Sequence, residues 1–93
     1  MGYSHQKEEL VSVLEAVETV DLMDLVVFND EVNTFEHVIK TLIRVCKHTT
    51  EQAEQCTLII HHNGKCKVKS GDFDFLRPMR EAFCEVGIDA RIL

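Results

Sequence analysis

The residues best equipped for chemistry fall in two places. In "VVFNDEVNTFEH" (residues 26–37) an apolar run stops in Asn29-Asp30-Glu31, two adjacent carboxylates at the point where a helix begins. In "IIHHNGKC" (residues 59–66), His61 and His62 stand just ahead of Cys66. Carboxylates at such a corner do one of two things. They close the turn through their own backbone, or they hold a cation. Neighbouring helical histidines point about 100° apart and rarely share one ion. A thiolate pair of Cys66 with either histidine needs a hydrogen-bonded geometry that a sequence does not supply. There is no Gly-rich phosphate loop and no G-x-S-x-G. The chemistry on offer is binding, so no enzyme, no cofactor and no metal site is expected.

Charge narrows the partners. Residues 1–36 carry nine acids against one base, and residues 37–93 seven acids against nine bases. No basic stripe of the kind that marks nucleic-acid binding is present. The acidic first third suits a cationic ligand or a basic partner, or is plain solvated surface. Four cysteines (Cys46, Cys56, Cys66, Cys84) show no C-x-x-C spacing, and no signal peptide is visible. They read as reduced thiols, several of them buried, in a cytoplasmic protein. No run of 18 apolar residues occurs, so no membrane span is expected. With 93 residues and 45% hydrophobic content, the chain is one domain with a modest core, and its function belongs to a surface site.

The elements that must position these residues follow from the pattern. Residues 1–22 are expected to form a flexible acidic tail; Leu10, Val11, Val13, Leu14 and Val17 give it a short amphipathic stripe, marginal in water without a partner. Residues 23–93 form the core domain. Residues 25–28 read as a buried strand. Asn33 and Glu36 have capping-box spacing, followed by a helix with Phe35, Val38, Ile39, Leu42, Ile43 and Cys46 on one face. Thr49 and Gln52 repeat the box and start a second helix. "TLIIHHNGKCKVK" is open to two readings. Asn63-Gly64 marks a β-hairpin, whereas Ala53, Thr57 and Ile60 on one stripe favour a helix capped by Gly64. Asp72 to Gly87 brackets a third helix, with Pro78 in its first turns. "IDARIL" closes as a strand. The order β-α-α-β-α-β describes an α+β domain, three helices packed on a small three-stranded antiparallel sheet.

Two of these stretches together carry a resemblance. "VVFNDEVNTFEHVI" and "EQAEQCTLIIHHNGK" resemble the ClpS adaptor family, whose pattern runs close to N-D-D-x-T-P-M-E-F-V-V, then a helix, then V-H-x-x-G-K. The match covers residues 25–69 and continues loosely to the C-terminus. It implies a helix through His61 rather than a hairpin. It also implies an adaptor without enzymatic activity that recognises the free first residue of a substrate, an N-degron. Such an adaptor passes its substrate to a Clp/Hsp100 AAA+ unfoldase, ClpA- or ClpC-like, working with ClpP. By that resemblance Asn29, Asp30, Glu31 and His61 receive the substrate's α-ammonium and backbone. Val27, Asn33, Phe35, Val38, Thr57 and Ile60 form the side-chain pocket. Unfoldase contact is expected near Asp74 and Arg77. Residues 1–20, acidic, poorly packed and outside the pocket motifs, are expected to serve delivery rather than recognition.

The physical chemistry agrees with that reading. An α-ammonium offers three N–H donors and a positive charge, so it needs converging acceptors, one of them anionic. The chain also departs from the family pattern. Glu31 stands for Asp and reaches one methylene further. Asn33-Thr34 stands for Thr-Pro, Phe35 for Met, Thr57 often for Met, and His37 for Phe. The other class of reading is a protein-interaction domain of similar fold without N-degron recognition.

Overall fold

A computed structural model of the chain describes residues 21–93. The expected tail lies outside the described residues, save Asp21 and Leu22, which are exposed. The elements are β1 (Met23–Phe28), α1 (Phe35–Cys46), α2 (Thr50–Asn63), β2 (Lys65–Gly71), α3 (Phe73–Glu85) and β3 (Ala90–Ile92). The α+β class and the element order are as the sequence implies.

β1 is the middle strand, in the order β2-β1-β3, and both pairings are antiparallel. Alternation along β1 sends Leu25 and Val27 into the core, where both are almost wholly buried. The register with β2 shifts between Leu25 and Val26. Backbone bonds beyond the ladder extend the β1–β3 pairing at both ends. Asp24 and Leu93 exchange N–H to carbonyl bonds of 2.9 Å in each direction, and the Phe28 N–H donates to the Asp89 carbonyl at 2.9 Å.

The helices cover one face of the sheet. Leu42 and Cys46 of α1, Ala53 and Ile60 of α2, and Leu76 and Phe83 of α3 meet Leu25 and Val27 in one cluster. Each Leu, Ile or Phe fully buried there contributes about 1.5–3 kcal/mol before entropy is charged against it. The four thiols are unpaired. Burial pushes the Cys46 thiol up to about 11. Burial, with Cys56 alongside, pushes Cys66 up to about 11 as well.

The caps decide where the helices begin and end. α2 starts on the expected box: Thr49 Oγ1 accepts from the Gln52 N–H at 3.1 Å, and Gln52 Oε1 accepts from the Thr49 N–H at 3.0 Å. It ends at Gly64, whose φ of 89° is the left-handed region that glycine adopts at least cost. Asn63-Gly64 is therefore a helix terminus and not a hairpin turn. The first box differs from expectation. Thr34, extended at φ −74° and ψ 157°, caps α1 by accepting from the His37 N–H at 3.1 Å. Asn33 is engaged elsewhere, and Glu36 pairs with Lys40 at 2.8 Å. Asp72 caps α3, accepting from the Phe75 N–H at 2.8 Å, and Pro78 falls inside that helix.

Candidate functional site

The corner between β1 and α1 is built by Asp30. Its Oδ1 accepts from the backbone N–H groups of Val32 (2.9 Å) and Asn33 (2.8 Å), and its Oδ2 accepts from the Asn33 side-chain amide (2.6 Å). The Asn33 backbone N–H holds the Asp30 carboxyl below its ordinary range. Burial partly opposes this, while the Asn33 amide, the Val32 N–H and the charge of His37 support it. Glu31, the next residue, is exposed and makes no ion pair among the described residues. Two adjacent carboxylates thus do different work: one closes its own loop, and the other has no partner among the described residues.

This loop meets the end of α2. The Asn29 N–H donates to the Gly64 carbonyl at 2.8 Å, which ties the loop to the helix terminus that carries His61. His61 projects beside Phe35, with ring centroids 5.0 Å apart in an edge-to-face arrangement. Phe35, the first residue of α1, thereby reaches across to α2. It remains 45% exposed and borders a cavity.

Between these elements lies a cavity of about 300 Å³, the lower end of the range for small-ligand pockets. Its lining divides by chemistry. Asn29, Asp30, Glu31, Asn33 and His61 supply polar groups. Phe28, Phe35, Val38, Ile60 and Ile88 supply apolar ones. Thr57 belongs with the apolar set, because its Oγ1 is spent on the Ala53 carbonyl, to which it donates at 2.7 Å. A cavity with one unengaged carboxylate, an imidazole and an apolar interior suits a small cation that carries a hydrophobic side chain.

Of the residues singled out in the sequence, Asn29, Asp30, Glu31, Asn33, Phe35, Val38, Thr57, Ile60 and His61 all border this one cavity. Val27 does not. It is 1% exposed within the core, because the pleat that brings Leu25 inward brings Val27 with it. Asp74 and Arg77 lie exposed on α3, away from the lining, with Arg77 paired to Glu81 at 3.4 Å. Phe28 and Ile88 border the cavity without having been expected. Phe28 ends the run that reads as a buried strand, and its position beside Asn29 is the available signal. Ile88 comes from the α3–β3 connection, and no local pattern marks it. Among the described residues no group of three His, Cys, Asp or Glu side chains converges as a metal site would, and no helix is long and apolar enough to cross a membrane.

The model of the family described as ATP-dependent Clp protease adaptor protein ClpS matches residues 18–85. The chain belongs to the ClpS family. A solved structure of ClpS2 from Agrobacterium tumefaciens, bound to L-phenylalaninamide, shares the fold with a TM-score of 0.68 at 17% identity, over 77% of this chain and 94% of that one. Among curated proteins, E3 ubiquitin-protein ligase UBR2 from Homo sapiens is 36% identical over 70 residues, and UBR2 from Mus musculus is 34% identical over 70 residues. Each alignment takes in 75% of this ClpS-family chain and 4% of the ligase, so the chain spans a small fraction of those relatives.

Proposed function

We propose that this chain is a non-catalytic adaptor that binds a protein through its free N-terminal residue when that residue is bulky and hydrophobic. It then delivers the bound protein to a Clp/Hsp100 AAA+ unfoldase, ClpA- or ClpC-like, partnered with ClpP. The observation that carries the reading is that Glu31, unpaired among the described residues, and His61 share a single cavity with an apolar interior. In this reading Asn29, Glu31 and His61 accept the three N–H donors of the α-ammonium, and Glu31 supplies the negative charge. The first side chain enters among Phe35, Val38, Thr57, Ile60 and Ile88. Asp30 acts one step back, holding the loop that presents Glu31. The ligand named for the Agrobacterium relative, L-phenylalaninamide, has the same two parts, a free amine and an apolar side chain.

The test uses two labelled peptides that begin with Leu or Phe, each compared with its N-acetylated twin. Acetylation removes the charge and two of the three donors, so specific binding of the free peptide and loss on acetylation is the expected result. Equal binding of both forms would leave an interaction domain without N-terminal recognition. The delivery step is tested by adding the protein to an unfoldase–ClpP mixture that degrades a reporter with an N-terminal Leu. A second reading of that step is favoured by the identity to UBR2 ligases: the same binding head serving a ubiquitin ligase. It predicts intact peptide binding with no stimulation of any ClpA- or ClpC-type unfoldase.

A further inference from the structure

Ile88 is the one wall of the cavity contributed by the C-terminal part of the chain. Its position depends on the turn that closes α3. There the Gly87 N–H donates to the Cys84 carbonyl at 3.0 Å and the Ile88 N–H to the Phe83 carbonyl at 2.9 Å, with Gly87 in the left-handed region at φ 81°. Those bonds use the amides of the turn and leave the carbonyls of Val86 and Gly87 pointing away from α3. Two side chains distant in the sequence take them. Asn33 Nδ2 donates to the Gly87 carbonyl at 2.9 Å, and His37 Nε2 lies 2.9 Å from the Val86 carbonyl.

The donor assignments are determined by the partners. Both groups around the Asn33 amide, Asp30 Oδ2 and the Gly87 carbonyl, are acceptors, so the amide nitrogen faces both and uses its two hydrogens. A carbonyl opposite His37 likewise requires that Nε2 carry the proton. Asp30, which closes the recognition loop, is thereby linked through Asn33 to the residue immediately before Ile88. His37 adds a second link one residue earlier, and it is not part of the cavity lining.

We propose that Asn33 and His37 are positioning residues for selectivity: by clasping the consecutive carbonyls of Gly87 and Val86 they hold Ile88 against the pocket and so set its depth. The inference rests on the N-terminal recognition reading above. It gives His37 a role without contact to the ligand, and it explains why a polar residue at this position of α1 is turned toward the α3–β3 connection.

The experiment measures affinities of peptides beginning with free Phe, free Leu and acetylated Phe for wild type, His37→Phe and His37→Gln. Losing the clasp should move the Phe-to-Leu affinity ratio of His37→Phe by about fivefold, the worth of one neutral hydrogen bond. The ratio of free to acetylated peptide should stay within about twofold, the scatter between independent sites. His37→Gln, whose amide can donate to the same carbonyl, should restore the Phe-to-Leu ratio. Amide exchange at Gly87 and Ile88 should quicken in His37→Phe and recover in His37→Gln. Should His37→Phe not fold, Asn33→Ala cuts the other link and should move the same ratio in the same direction. A folded variant with unchanged Phe-to-Leu ratio, while acetylation still abolishes binding, overturns this inference alone. Wild type that binds free and acetylated peptides equally overturns the recognition reading and this inference with it.

Discussion

Two corners border the cavity, and they are made by different means. The β1–α1 corner is held by side chains: Asp30 gathers the N–H groups of Val32 and Asn33, and Thr34 takes that of His37. The α2–β2 corner is held by backbone alone, with Gly64 in the left-handed region and its N–H on the Ile60 carbonyl at 2.9 Å. A corner made by side chains can divide labour between neighbours. Asp30 satisfies the loop, and Glu31 is therefore available to a ligand. A corner made by backbone offers no such choice, but it fixes the last turn of α2 and with it the direction of His61. The 2.8 Å bond from Asn29 to the Gly64 carbonyl joins the two, so errors in one are felt in the other.

The strongest challenge to this contrast is to remove each carboxylate separately. Glu31→Ala should weaken free-N-terminal peptide binding by roughly 2–5 kcal/mol, the cost of deleting one partner of a desolvated charge pair, with little change in melting temperature. Asp30→Ala should lower stability by about 1 kcal/mol, as loss of a turn-closing or capping side chain does, and weaken binding only through the loop. Equal melting-temperature losses in the two variants would erase the division of labour. Acid sharpens the same point. Because the folded Asp30 carboxyl titrates below its ordinary range, the stability it contributes is present above the unfolded pKa and is lost as pH falls through the folded one. Asp30→Ala should lack that part of the acid dependence in denaturant titrations at successive pH values.

The next largest effect concerns the ring that bridges the corners. Phe35 is rigid where Met would bend aside, and it stands edge-on to His61. Wild type should bind peptides beginning with Leu, Phe and Tyr and reject Ile and Val, whose branch lies at Cβ. Phe35→Ala should admit Ile and Val, with a gain of ~1–3 kcal/mol for each. Wild type that binds Ile as well as Leu would show that Phe35 is no gate. A modest effect belongs to the backbone-made corner. A Cβ at Gly64 meets nothing within 4 Å, so Gly64→Ala should cost only the left-handed conformation, about 1–2 kcal/mol. Chemical denaturation measures it, and a loss well beyond that would mean the corner depends on more than its glycine.

The same contrast explains what the sequence discloses. Local chemistry is legible: the Thr49–Gln52 box, the Ala53, Thr57 and Ile60 stripe, and the brackets of α3 all follow from residues within a few positions of one another. The Asn29-Asp30-Glu31 corner and His61 could be joined to each other through the family pattern. What escaped depends on contacts across the chain. Asn33 has the right spacing for a cap, yet its amide is taken by Gly87, 54 residues away, and the capping passes to Thr34. Ile88 enters the site through the same long-range link. Val27 and Phe28 are neighbours in an apolar run, and only the pleat decides that the first goes inward while the second borders the cavity.

The reciprocal pair between Asp24 and Leu93 has a consequence for how this domain is made and carried. The central strand emerges first during synthesis, but one of its two edges stays open until the last residues of β3 have arrived. Folding therefore completes late, as pairings of long sequence separation require. Once it is complete, the chain enters and leaves the sheet at one point. A domain whose ends meet in this way can be spliced into a loop of a much longer polypeptide without stretching its host.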